Sequence, residues 1–203
     1  MRAVGVVLAG GAGTRFGMPK ALARADDGTP WLDLACRALL DGGCADVVVV
    51  LGARADEARG LVPAGARAVV AADWASGIAA SLRAGLAAVG ETGADAAVVS
   101  LVDLPGLRAD AVRRVLGVSQ DRGASQQPDA VRRLLGRAVY DGMPGHPVLV
   151  GREHWRPLAD AVRGDTGAGP YLRAHDAVAV DCTDLGGGDD VDRAGPEAPS
   201  GRR

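Results

Sequence analysis

The hydrophobic positions of this chain fall into two kinds of run that alternate along its length. Short, continuous, β-branched runs suit strands buried on both faces of a sheet: Val4–Ala9, Asp46–Leu51 with its four consecutive valines, Ala66–Ala72 and Ala96–Val102. Between them lie stretches whose apolar residues recur every three or four positions. Trp31–Leu40, with Thr29 and Pro30 before it and Gly42-Gly43 after it, reads as a helix. Ser76–Val89, with Ser76 placed as a cap and Ile78, Leu82, Leu86 and Val89 on one face, reads as another. Strands alternating with helices predict crossover units, and hence an α/β class: three layers, Rossmann-like, a mostly parallel sheet with helices on both faces.

Downstream the pattern changes. Leu134–Tyr140 and Pro147–Val150 are strand-like and close together, separated by a turn-rich segment from Asp141 to His146, and are expected to form a small hairpin insertion. Ala177–Cys182 is expected as the last strand. The polar segment Ser119–Asp129 is expected to be a mobile loop. Residues 1–192 form a single domain in this reading, and 193–203 a disordered tail.

Composition narrows the function classes. With 48% hydrophobic and 24% charged residues, the 203-residue chain has enough apolar material for one core. A net charge of -2 and 3% aromatic residues supply neither a basic patch nor stacking platforms for nucleic acid. Cys36, Cys44 and Cys182 lack the paired spacing of a zinc site or a redox dithiol, and are expected as buried, reduced thiols. No 18-residue apolar stretch is present, so no membrane partner is expected, and the location expected is cytoplasmic.

Candidate chemistry gathers where strands end. In open α/β sheets ligands sit beyond the carboxyl ends of the strands. The first strand runs into Gly10-Gly11-Ala12-Gly13-Thr14-Arg15-Phe16-Gly17-Met18-Pro19-Lys20, a loop whose backbone N–H groups can converge on phosphate oxygens. Phe16 stands where the dinucleotide fingerprint needs its third glycine, and Pro19-Lys20-Ala21 stands where the Walker loop needs Gly-Lys-Ser/Thr, so neither of those cradles fits. Lys20 is the chain's one lysine. Asp103 follows the fourth strand directly and Pro105 then turns the chain away, which puts a carboxylate on the same sheet edge as the loop. A plain glycine turn with solvated cations, and a strand-end aspartate acting as a turn residue, are the bland alternatives.

Leu8-Ala9-Gly10-Gly11 through Arg15-Phe16-Gly17-Met18-Pro19-Lys20 resembles the signature of the MobA-like nucleotidyltransferases, and the resemblance extends over about residues 3 to 192. It implies the nucleotide-diphospho-sugar transferase fold and a Mg2+-dependent transfer of NMP from an NTP, with pyrophosphate released. It further implies nucleotide contacts from Leu8, Ala9, Gly10, Gly11, Gly13, Thr14, Arg15 and Lys20, with Arg15, Lys20 and Asp103 catalytic. Gly188-Asp189-Asp190-Val191-Asp192 is similar to the acidic segment that completes the family's metal site, which implies Asp103, Asp190 and Asp192 as metal ligands. After Asp192 the sequence departs from the family pattern.

Three more segments look like the molybdenum-cofactor branch of that family. Trp74-Ala75-Ser76-Gly77 through Ser81-Leu82 implies nucleotide contacts from Gly77 and Ser81. The Gly145-His146-Pro147 turn and Gly164-Asp165-Thr166-Gly167-Ala168 imply acceptor contacts from His146 and Asp165. The acceptor implied is the phosphate of a molybdopterin-type cofactor, with molybdoenzymes or their chaperones as partners. CTP is favoured as donor, with GTP open. Transfer to a sugar phosphate or another phosphorylated metabolite, and a non-catalytic nucleotide-binding module, remain the alternatives.

Overall fold

The computed structural model describes residues 1–121 and 128–192. Its centre is one seven-stranded sheet in the order β3-β2-β1-β4-β6-β5-β7. The strands are β1 (Ala3–Ala9), β2 (Asp46–Leu51), β3 (Ala66–Val70), β4 (Ala96–Leu101), β5 (Leu135–Tyr140), β6 (Met143–Gly151) and β7 (Val178–Asp181). The first four pair in parallel, and β6 runs against both β4 and β5. β7 lies parallel to β5 at the far edge.

Every residue of β1 is buried, as its unbroken apolar run requires of a strand covered on both faces. Gly5 belongs to that packing, since a Cβ there would come within 2.9 Å of Leu39 Cδ1. Alternation along the strands then divides the core in two. Val7, Val47, Val49, Val98 and Leu149 face α1 (Trp31–Asp41) and α4 (Ala109–Asp121). Val6, Val48, Val50, Ala97 and Val150 face α3 (Ile78–Gly90) and α6 (Trp155–Ala161). The expected three layers are present. Short helices α2 (Ala55–Arg59), α5 (Pro128–Val131) and α7 (Gly169–Ala174) complete the chain.

Several boundaries differ from the sequence reading. The hairpin forms, but it is part of the main sheet: β6 pairs with β4, so β5 and β6 extend the sheet rather than project from it. Its turn is only Asp141-Gly142, both at positive φ, which lets β6 begin at Met143 instead of Pro147. Ser76 does not cap α3. Residues Trp74–Ser76 form a 3-10 turn and Gly77 takes the cap position at φ 109, where any side chain would drive into the backbone of Gly164.

Of the expected loop 119–129, residues 119–121 belong to α4 and 128–129 to α5, while 122–127 lie outside the described residues. Ser119 is buried, and its hydroxyl donates to the Leu116 carbonyl at 3.0 Å. The expected tail, 193–203, also lies outside the described residues. Cys36, Cys44 and Cys182 are free and buried, and burial pushes the thiols of Cys36 and Cys44 up to about 12. No helix among the described residues is long and apolar enough to cross a membrane.

Candidate active site

The parallel strands deliver three chain segments to one edge. β1 ends at Ala9 and releases the glycine-rich loop, β4 ends at Leu101 just before Asp103, and β2 ends at Leu51 beside Gly52. The strand order reverses direction between β1 and β4, the place where open α/β sheets leave a crevice. A cleft of about 610 Å3 opens there, walled by residues 8–16 on one side and by Lys20, Asp103, Asp192, Trp74, Gly77, Ser81 and Asp165 on the others.

The loop is built to present N–H groups. Gly13 accepts from the amides of Phe16 (3.0 Å) and Gly17 (2.8 Å), which curls the chain back on itself. By contrast, the amides of Gly11 through Arg15 donate to no carbonyl among the described residues. Five successive amides without a carbonyl partner, on a loop that lines the cleft, suit phosphate oxygens. Gly13 holds φ +64, and a Cβ on it would collide with the Met18 carbonyl. Gly10 is packed for another reason: a Cβ there would stand 2.5 Å from Ser81 Oγ, so α3 and the loop approach closely only because position 10 is bare. Phe16 braces the loop against Trp31, with ring centroids 5.3 Å apart.

Three carboxylates meet beside the loop. One oxygen from each of Asp103, Asp190 and Asp192 lies within 4.8 Å of the others. The C-terminal pair arrives by a specific route: Gly187, at φ 77, presses onto the carbonyl of Gly106, and the Val191 amide donates to the Asp103 carbonyl at 3.0 Å. Asp103 Oδ1 is buried without a hydrogen-bond partner among the described residues. An orphaned carboxylate oxygen beside two further carboxylates is the donor set of a hard divalent cation, so these residues fit a magnesium or manganese ion.

Lys20 lies among them. Its Nζ donates to Asp103 Oδ2 at 2.8 Å and to Asp192 Oδ1 at 3.2 Å. Burial works against the ammonium, but the two carboxylates outweigh it and hold its pKa above the ordinary value. Arg15 is exposed and reaches Asp192 Oδ2 at 3.5 Å. Both cations therefore stand beside the loop amides at the mouth of the cleft.

This chain belongs to the MobA-like NTP transferase family. The model of the MobA-like NTP transferase domain matches residues 5–178. Nicotine blue oxidoreductase of Paenarthrobacter nicotinovorans is 37% identical over 194 residues, covering 93% of this chain and 91% of its own. Among solved structures, Rv0371c from Mycobacterium tuberculosis H37Rv superposes with a TM-score of 0.74 at 28% identity, over 95% of this chain and 94% of that one. A manganese complex of Rv0371c superposes at 0.69 and 26% identity, over 89% and 87% of the two chains.

As a MobA-like protein the chain has its signature residues in one place. Leu8, Ala9, Gly10, Gly11, Gly13, Thr14, Arg15, Lys20, Gly77, Ser81 and Asp103 all border the nucleotide-sized cleft. The two residues grouped as acceptor contacts are separated. Asp165 borders this cleft, tucked beside Gly77, whereas His146 lines an adjoining cavity. His146 Nδ1 lies 3.2 Å from the Val99 carbonyl oxygen, and burial lowers its pKa, which disfavours the charged form.

Ala79 N–H, at the start of α3, already donates to the Gly164 carbonyl at 3.0 Å, which leaves that helix end less open to an anion than its sequence implies. Sequence reasoning missed Phe16 and Ile78 as cleft walls and Arg137 in the adjoining cavity. A single aromatic in the loop signalled Phe16, while nothing local marked Arg137.

Proposed function

We propose that this MobA-like protein transfers a nucleoside monophosphate from an NTP to the phosphate of a small-molecule acceptor, with CTP the favoured donor and GTP the second. The observation that carries this reading is the run of five loop amides, unpaired among the described residues, on the wall of the same cleft that Lys20 and Asp103 line. The amides of residues 11–15 would take the triphosphate, and Lys20 and Arg15 would hold its negative charge. In the reaction an acceptor phosphate oxygen attacks the α-phosphorus, the bond from that phosphorus to the β-phosphate oxygen breaks, and pyrophosphate leaves.

Asp103, Asp190 and Asp192 would hold a divalent cation, Mg2+ being the expected one, which neutralises phosphate charge and aligns phosphate oxygens when bound. No side chain needs to act as a covalent nucleophile. Positioning and charge neutralisation supply most of the acceleration in transfers at phosphorus.

The acceptor favoured is a molybdopterin-type cofactor, on the resemblance of the Gly145-His146-Pro147 and Gly164–Ala168 segments to that branch. Molybdoenzymes or their chaperones would then receive the product. A second reading comes from the relative at 37% identity, whose name is that of an oxidoreductase. On that reading the same cleft serves an oxidoreductase reaction on a small organic substrate.

Purified protein incubated with each NTP, Mg2+ and molybdenum cofactor separates these readings. Pyrophosphate release with CTP, dependent on the cofactor, is the expected result. Release only with sugar phosphates rejects the acceptor, NTP binding without release favours a non-catalytic module, and oxidation of NADH or NADPH by a reducible dye in place of release favours the second reading.

A further inference from the structure

Next to the nucleotide cleft lies a second cavity of about 370 Å3. Leu8, Ile78 and Leu101 border both spaces. Val99, Val148, Val150 and Leu172 make the remaining wall largely aliphatic, and three polar side chains interrupt it, Arg137, His146 and Thr166. A pocket of this make-up buries a flat apolar body and orients it through a few polar groups.

Arg137 is the unexplained member. It is half-buried, its Nε donates to the Gly145 carbonyl at 3.1 Å, and no carboxylate pairs with it among the described residues. The charge that acts on it is another cation. Nη1 of Arg137 and Nη1 of Arg173 each lie 3.6 Å from the point where a Cβ on Gly169 would stand, so two guanidinium groups flank one small space. Burial pushes the Arg137 pKa below its ordinary value and the Arg173 charge adds to the effect. Arg173 is exposed, so the cost of burial falls on Arg137: an anion seated between the two would pair the half-buried guanidinium, which is costly to leave unpaired, and screen the repulsion between the two charges. The planar donor fork of arginine matches a carboxylate or a phosphate.

His146 sets the complementary requirement. Its Nδ1 faces a carbonyl, which can only accept, so that nitrogen carries the proton and Nε2 is left as an acceptor.

We propose that this cavity binds a planar, largely apolar ring compound carrying a carboxylate or phosphate, with the anion between Arg137 and Arg173 and a ring N–H or O–H donated to His146. The role of that compound as acceptor rests on the nucleotidyl-transfer reading. Its reacting phosphate would then lie at the wall shared with the nucleotide cleft, and its second anionic group at the arginines.

Gly169 offers a test that leaves the arginines in place. As the first residue of α7, it is a position where aspartate suits the helix, so Gly169→Asp should fold while placing a carboxylate in the space the anion needs. Full-length protein is titrated with naphthalene-2-carboxylate, 2-naphthyl phosphate and the neutral naphthalene-2-carboxamide, followed by ligand-observed NMR. Wild type is expected to bind at least one anion about tenfold more tightly than the amide, one factor of ten being the gain of one well-paired charge. Which of the two binds tighter identifies the anion. Arg137→Gln and Gly169→Asp should both erase the preference, with the thermal midpoint of Gly169→Asp held.

Equal affinity for anion and amide in wild type, a preference that survives Arg137→Gln, or no binding of any of the three overturns the proposal. CTP affinity of the wild type is measured alongside. Its absence would count against the reading of the cleft and leave the arginine site standing.

Discussion

The ammonium of Lys20 sits 2.8 Å from Asp103 Oδ2 and 3.2 Å from Asp192 Oδ1, and so joins the loop after β1, the carboxyl end of β4 and the segment after β7 at one point. These segments are distant in sequence, and the only lysine of the chain is the residue that ties them. Lys20→Met should lower turnover on the order of a hundredfold if the ammonium meets charge that develops as pyrophosphate departs. Steady-state pyrophosphate release checks this, and unchanged turnover would remove Lys20 from the mechanism.

The same contact has a pH signature. The folded pKa of Lys20 is raised above 10.5, so its contribution to stability is complete below that value and is lost as pH rises through the folded pKa. Denaturant midpoints taken at neutral pH and above pH 10.5 should converge between wild type and Lys20→Met at the alkaline end. A constant difference across that window contradicts the pairing.

Asp95 carries the opposite sign. Its Oδ2 accepts from the Arg2 amide at 2.9 Å and its Oδ1 from Arg132 Nε at 3.2 Å, which fastens the starts of β1 and β4 together. The Arg2 hydrogen bond is the main cause that holds its pKa below the ordinary carboxylate value; burial opposes it and Arg132 adds to it. Stability from a depressed carboxylate is present above the unfolded pKa near 3.8 and disappears as pH falls through the folded value. Asp95→Asn should therefore cost about 1 kcal/mol at pH 7, the usual worth of such a hydrogen bond, and almost nothing under strong acid. Urea unfolding at the two pH values measures it.

Two glycines of the loop should respond differently to a single methyl group. Gly13 is held at φ +64 against the Met18 carbonyl, whereas a Cβ on Gly11 meets nothing within 4 Å. Gly13→Ala should cost about 1–3 kcal/mol of stability, as a strained backbone position does. Gly11→Ala should stay within about 0.5 kcal/mol of wild type. Thermal unfolding of the two variants side by side is the measurement.

The contrast between those glycines also marks what the sequence could and could not show. The apolar run of β1 ending in glycines is a local signal, and so the loop, Lys20 and the strand-end Asp103 were legible from residues alone. The cap of α3 was not. Gly77 occupies it because the backbone of Gly164 stands where a side chain would go, a contact made across more than eighty residues. The partnership of β6 with β4 was hidden for a similar reason, since an antiparallel strand inserted between parallel ones leaves no crossover pattern to read. Asp190 and Asp192 were visible as an acidic segment, but only the passage of Gly187 over Gly106 shows why they end beside Asp103.

That passage leads to a test of the carboxylate triad. Asp192 is shared with Lys20 and Arg15, while Asp103, which accepts from Lys20 through Oδ2, keeps in Oδ1 a buried oxygen with no partner among the described residues. Asp103→Asn should weaken Mn2+ binding by about tenfold or more, because a lost anionic ligand is lost binding energy, with smaller losses for Asp190→Asn and Asp192→Asn. Electron paramagnetic resonance titrations with Mn2+ would rank the three.

The most direct test of the account is a crystal of the protein grown with CTP and Mn2+, with the metal located by its anomalous scattering. A manganese peak is expected among the carboxylates of Asp103, Asp190 and Asp192, with the triphosphate lying on the amides of residues 11–15. A triphosphate bound away from that loop, or manganese bound elsewhere with the three carboxylates bare, would contradict it.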